Sequence, residues 1–298
     1  MYLSNEQFAT PRAYPAIPHH QVETLLERGS GTLNEDVLLQ AEDLFGVFDG
    51  ATSLDKRKFA GELTGGLLAA RIAAQTFRDG DGSLAHLADQ ANRRIHSSLC
   101  KENVPLNERH RLWSTSLAVV RLAGERFEYC QTGDALILLL IDDGGFRLVT
   151  PQIDIDRETL QLWKESPAAK TTTIHDLLAE QIHRVRLQMN INYGVLNGEP
   201  EAMNFLRHGY HDLAGVSDIL LFTDGLFLPR ENPLDCDDWQ LLASLYRHGG
   251  LQAVRNHVRR LQKEDPSCRK YPRFKQHDDI AAVAIQLHSS HQPAIAFS

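Results

Sequence analysis

Between Ser114 and Thr150 the chain reads STSLAVVRLAGERFEYCQTGDALILLLIDDGGFRLVT, and this stretch restricts the fold more than any other. Turn signals at Ala123-Gly124, Gly133-Asp134 and Asp143-Gly144-Gly145 cut it into four short apolar segments. Runs of this length, rich in β-branched and aromatic residues and separated by Gly and Asp, read as four successive antiparallel strands. Residues 19–27 and 37–49 read as further strands. Apolar positions recur at helical spacing over 57–79 and again over 83–101, where Ser83 offers a cap. Residues 155–206 are polar and mostly helical, punctuated by Pro151, Pro167 and Pro200; strands return at 211–223, helices at 238–248 and 250–263, and a last strand at 280–287. This order is no βαβαβ alternation. It indicates an α+β fold of antiparallel sheets with helices packed outside. Residues 1–18, with Pro11, Pro15 and Pro18, read as an extended arm, 19–288 as a single domain, and 289–298 as a loose tail.

Charge and cysteine content exclude several functions. The net charge of −8 leaves no basic excess to neutralise nucleic-acid phosphates. The basic run Leu54–Lys58 reads as a solvated helix start. Cys100, Cys130, Cys236 and Cys268 show no C-x-x-C spacing, which gives a zinc or thioredoxin-like site no support; Cys130 reads as a small core residue. No basic start followed by an apolar run marks a signal peptide, and the longest apolar run, Ala135–Ile141, is too short to span a bilayer. The expectation is a soluble, cytoplasmic protein without membrane or nucleic-acid partners.

Acidic residues recur where apolar strands end. Leu44–Phe48 runs into Asp49-Gly50, Ile219–Phe222 into Thr223 and Asp224-Gly225, and Asp278-Asp279 opens the strand IAAVAIQL; Glu35-Asp36 precedes the first of these. One Asp-Gly is ordinarily a turn. If the strands are neighbours, however, Asp49, Asp224 and Asp278 converge at one sheet edge. Carboxylates about 4 Å apart repel by roughly 4 kcal/mol per pair at an effective dielectric near 20. Such a group calls for cations, and hard oxygen ligands without Cys or His suit Mg²⁺, Mn²⁺ or Ca²⁺ rather than zinc. Gly50, having no side chain, can turn sharply and present its carbonyl oxygen to a metal.

The segments NED, FGVFDG, TGD, LLFTDG and DDIAAVAI, in that order, resemble the motif series of the metal-dependent serine/threonine protein phosphatases of type 2C. The resemblance covers about residues 20–288. It implies a four-layer αββα sandwich of two antiparallel sheets flanked by helices, with Mn²⁺ or Mg²⁺ bound as two ions at one end. By that resemblance Asp49 bridges the two ions, Gly50 gives a carbonyl to one, and Glu35 is a ligand held partly through water, with Asp36 behind it. Asp224 and Asp278 hold the other ion, and Asp134 matches a residue that helps hold a weaker third ion in many members. Asp279 stands where the family often has Asn and takes an outer place; Ser114-Thr115 matches a structural strand motif. The implied reaction is hydrolysis of phosphoserine or phosphothreonine on a phosphorylated protein by a metal-activated water, with no phosphoenzyme.

The chain departs from that pattern on the substrate side. Gly31 stands where many members carry a phosphate-binding Arg, Ala51 where many have a His, Thr52-Ser53 where a Gly pair is common, and Ala135-Leu136 where a Ser-Arg pair follows the third-ion Asp. Arg28, Lys56, Arg57 or His277 could replace the missing cation, and nothing in the sequence selects one; His277 also reads as an exposed loop residue. The helical insertion between Pro151 and Tyr210 takes the place of the family's flap. Two alternatives stay open: a metal-binding regulatory module with weak catalysis, and a phosphatase of small phosphate monoesters.

Overall fold

The structure, a computed structural model, describes residues 18–287 apart from 52–53, 55–56, 60 and 168–171. The expected arm, but for Pro18, and the expected tail lie outside the described residues, as do Lys56 and Thr52-Ser53. Among the described residues ten strands form two antiparallel sheets of five. One sheet contains β2 (Val37–Gln40), β3 (Leu44–Gly50), β4 (Thr115–Ala123), β5 (Arg126–Thr132) and β8 (Arg207–Asp212), in that order. The other runs β1 (His20–Glu27), β10 (Ile280–Leu287), β9 (Val216–Phe222), β6 (Leu136–Ile141), β7 (Phe146–Leu148).

Strand parity separates the layers. Phe45, Val47, Ala118 and Val120 meet Ile137, Leu139, Ile219, Leu221, Val283 and Ile285 between the sheets. Their sequence neighbours point the other way. Phe48, Leu117 and Val119 pack under α1 (Gly65–Asp79) and α2 (Leu84–Lys101). Leu136, Leu138, Leu220 and Ala282 pack under α6 (Trp239–Glu264). Strands buried on both faces explain the continuous apolar runs of the sequence. Ala69, Ala70, Ala73 and Ala74 on the buried side of α1 allow that helix to lie close to its sheet. The result is an α+β, αββα sandwich, as the motif series implied.

Three expectations need correction. The helix predicted over 57–79 begins only at Gly65, where Thr64 Oγ1 accepts from the Leu67 amide at 3.3 Å. Phe59 and Leu63, spaced as on a helix, instead bridge across a turn in which Gly61 and Glu62 take φ of 76° and 61°. Leu54, Arg57 and Lys58, the described residues of the basic run, therefore start no helix. The four central strands are antiparallel but split: β4–β5 and β6–β7 are hairpins of different sheets, and Gly133-Asp134 is the crossing between them. Helix α6 does contain the two predicted helices, broken at Gly249 and Gly250. Gly250 has φ 67°, and the Leu251 amide restarts the helix by donating to the Glu23 carboxylate at 3.0 Å.

The insertion folds as α3 (Arg157–Glu165), α4 (Ile174–Leu177), α5 (Ala179–Arg186) and a 3₁₀ turn at Pro200–Phe205, around a small apolar cluster of Met189, Tyr193 and Val195. It is stitched back to the sheet where Thr115 and Leu196 bond backbone to backbone.

Candidate active site

The pairing registers gather the strand-end carboxylates at one end of the sandwich. Val37 pairs with Phe48 and Gly50 with Thr115 in one sheet; Glu27 pairs with Ile280 and Ala282 with Phe222 in the other. Asp49 closes β3, Asp36 precedes β2, Asp134 follows β5, Asp224 follows β9, and Asp278-Asp279 precede β10. The chain crosses itself tightly here. A β-carbon on Gly50 would lie 2.6 Å from the Glu35 carbonyl oxygen and from the Gly66 backbone, so only glycine fits.

Four carboxylates are fixed by neighbours. Asp36 accepts from Thr223 Oγ1 at 2.7 Å, tying the start of β2 to the end of β9 across the sandwich. Asp279 accepts from the amides of Gly29 at 2.7 Å and Glu35 at 2.9 Å, which pins the loop carrying buried Glu35. That double acceptance needs two acceptor oxygens. An Asn would aim its NH₂ at one of those amides, so Asp in place of the family's Asn follows from the local bonding. Asp134 accepts from Ser116 Oγ at 2.8 Å. Asp278 Oδ1 accepts from the Asp279 amide at 2.8 Å and meets the Lys275 ammonium at 2.7 Å.

Asp49 and Asp224 are different. Both are half-buried, and neither carboxylate accepts a hydrogen bond from the described residues. Loss of water and the charges of Asp36, Asp134 and Asp278 hold the Asp49 carboxyl well above the usual range, with Lys275 the opposing cation. Asp224 is pushed up in the same way, by desolvation and then by Asp49 and Asp278. Asp36 and Asp134 are also raised, chiefly by desolvation; the Thr223 hydroxyl and the Ser116 hydroxyl oppose the shift respectively, and Arg186 of α5 acts on Asp134. Asp134, Asp224 and Asp278 line a cleft of about 140 Å³ with Asp156, Arg230 and Lys275.

Among the described residues no three His, Cys, Asp or Glu side chains form a ready-made ion cage. The side chains of Asp36, Asp278 and Asp279 turn to Thr223, Lys275 and the loop amides instead. The donor chemistry nevertheless fits a hard divalent ion. It is all oxygen and mutually repelling, and two of its carboxylates take no hydrogen bond from the described residues.

The sequence model of the family described as Protein phosphatase 2C matches residues 27–265. The chain belongs to the protein phosphatase 2C family. No curated protein matches it. Solved structures share the 2C-type fold at low identity. PppA, described as a key regulatory component of T6SS in Pseudomonas aeruginosa, is 17% identical with a TM-score of 0.56, over 91% of this chain and 99% of its own. The Mycobacterium tuberculosis serine/threonine phosphatase PstP/Ppp is 17% identical with a TM-score of 0.54, over 91% and 99%. Stp1 from Staphylococcus aureus is 11% identical with a TM-score of 0.55, over 94% and 100%. The PstP catalytic domain was also solved in complex with two manganese ions.

Against the 2C pattern, the candidates for the missing arginine stand apart from the cleft. Exposed Arg28 donates to the Thr32 carbonyl within its own loop at 3.1 Å. Arg57 donates to the Glu102 carbonyl at 2.6 Å, where α2 ends, and lies over the Phe59 ring. His277 is half-buried rather than exposed; its Nδ1 sits 2.8 Å from Gln262 Oε1, and burial with Arg259 and Arg273 lowers its pKa. Gly31 is exposed on the β1–β2 loop. Two cleft residues were missed from sequence. Asp156 stands before α3, where burial and the Asp134 charge push it up to about 7. Lys275 left one signal, its place three residues before Asp278 in KQHD.

Proposed function

We propose that this chain is a Mn²⁺- or Mg²⁺-dependent phosphatase acting on phosphoserine and phosphothreonine of proteins, as a soluble cytoplasmic enzyme. The observation that carries it is the meeting of Asp49 and Asp224, from facing sheets, as half-buried carboxylates that repel each other and accept no hydrogen bond from the described residues. Asp49, Asp224, Asp278, the Gly50 carbonyl and Glu35 would hold two ions, with Asp134 placed for a weaker third. When bound, the ions supply an activated water and stabilise charge on the phosphoryl oxygens during in-line displacement. Around them Thr223 orients Asp36, Asp279 anchors the Glu35 loop, and Ser116 fixes Asp134. Among the described residues no helix is long and apolar enough to cross a membrane.

The test is turnover of an aryl phosphate with and without Mn²⁺, followed by a panel of phosphopeptides and small phosphate monoesters. Activity that appears with Mn²⁺, vanishes in EDTA and prefers phosphopeptides supports the reading. Full activity in excess chelator defeats it. Manganese binding without turnover on any ester would favour the regulatory module instead.

A further inference from the structure

Three cations line the cleft, and two of them are each held by several carboxylate and carbonyl oxygens of the protein itself. Arg230 donates to the Asp235 carbonyl at 2.7 Å and to Asp154 at 3.0 Å, and pairs with Asp237 at 3.3 Å. Arg273 donates to Asp265 at 2.9 Å and to the carbonyls of Gln262, Asp265, Tyr271 and Gln276. Lys275 is the third. Its ammonium meets Asp278 Oδ1 at 2.7 Å and takes no other acceptor among the described residues, so two of its three N–H groups have no partner there. Its side chain keeps 26% exposure, which opens it to the cleft.

The position is also rigid. Asp265 accepts from Ser267, Arg273 and the amides of Arg269 and Tyr271, closing the loop that carries Lys275. That loop is clamped to the insertion. Arg269 lies 3.2 Å over the Trp163 ring of α3, and the Phe274 ring lies 5.7 Å from the His175 ring of α4.

We propose that Lys275 is the residue that receives the substrate's phosphoryl group, its two remaining N–H groups taking phosphoryl oxygens beside Asp224 and Asp278. The assignment rests on the phosphatase reading and supplies the cation that Gly31 does not. A lysine is a compact point charge with rotatable donors rather than a fixed two-pronged fork. Phosphoryl binding here should therefore depend on charge more than on ester geometry.

The test is calorimetric titration of inorganic phosphate into the Mn²⁺-saturated full chain. Lys275→Gln should weaken phosphate about tenfold or more, the scale of a charge-assisted hydrogen bond. Manganese should bind it as tightly as wild type or tighter, and the aryl phosphate KM should rise in step with the lost phosphate affinity. Arg28→Ala should change phosphate binding by less than about twofold, the range expected for a remote exposed charge. Lys275→Arg keeps the charge and should bind phosphate within about threefold of wild type; it also decides the matter should the Gln variant fail to fold. The proposal is overturned if folded Lys275→Gln binds phosphate normally, if Lys275→Arg binds manganese yet loses phosphate tenfold, or if wild type binds no phosphate. Loss on Arg28→Ala or Arg186→Ala, with Lys275→Gln unaffected, moves the role to that arginine. A wild type that binds manganese and phosphate but hydrolyses nothing defeats the proposed function, while the phosphate titrations still judge Lys275.

Discussion

Replacing Asp49 or Asp224 by Asn removes one anionic oxygen from a pair whose charges already oppose each other. Each variant should lose Mn²⁺-dependent turnover by at least about 100-fold, because a ligand is lost where charge must be balanced. The metal-free variants should melt no lower than wild type, since like charge has been relieved. Turnover close to wild type in either would remove it from the site. Asp156 makes a second prediction. With its carboxyl pushed up to about 7, the folded chain keeps a proton that the unfolded chain has released above about pH 4. Stability present in acid is thus lost as pH rises through that window. The metal-free melting temperature should fall between about pH 4 and pH 7, on the order of a few °C, and Asp156→Asn should reduce the slope, the raised Asp36, Asp49, Asp134 and Asp224 keeping the rest. An unchanged slope in that variant would place the titration elsewhere. At this scale the sequence was legible where a residue sits at the end of an apolar run, as Asp49 and Asp224 do. It was opaque for Lys275 and Asp156, whose positions depend on loop bonding between segments more than 100 residues apart, such as Trp163 with Cys268 and Arg269.

The elements themselves were read well wherever burial sets a period. The long apolar strands, Ser83 as the cap of α2 and the break in α6 at Gly249-Gly250 all left local marks. The start of α1 did not, because Phe59 and Leu63 mimic helical spacing while Gly61 and Glu62 turn the chain through left-handed geometry. Nor did the division of β5 and β6 between sheets, since a Gly-Asp pair marks a turn without saying whether the next strand pairs or crosses. Anchoring of the insertion is testable here. Trp163 is buried, donates from Nε1 to the Cys268 carbonyl at 2.7 Å and carries Arg269 on its ring. Trp163→Ala should speed amide exchange in α3 and in 265–276 while leaving the central strands protected. Uniform loss of protection would show that the insertion is no separate unit. Gly225 is a tighter contact: a β-carbon there would overlap the Asp279 carbonyl oxygen. Gly225→Ala should cost about 1–3 kcal/mol in chemical denaturation, as overpacking does.

Across the molecule, the carboxylate group joins two sheets whose facing sides pack through an apolar layer. An ion bound there stabilises only the folded state, by about 2.7 kcal/mol at a hundredfold excess over its Kd. Mn²⁺ should accordingly raise the melting temperature of chelator-stripped protein by several °C, by the scaling of unfolding entropy with chain size. Zinc should do so less, given the hard oxygen donors. A melting temperature indifferent to Mn²⁺ would sever metal from fold. One further consequence lies in the order of synthesis. β10 sits between β1 and β9, pairing Glu27 with Ile280 and Phe222 with Ala282. During translation β1 therefore waits for a partner made some 250 residues later, and β9 presents an open edge meanwhile. Lys275 and Asp278 emerge just ahead of that strand, so the charge cluster is assembled only as the last gap in the sheet closes. A ribosome stalled before Ile280 would hold a chain with two unpaired strand edges and no complete site, so exposure of those edges and loss of the site go together.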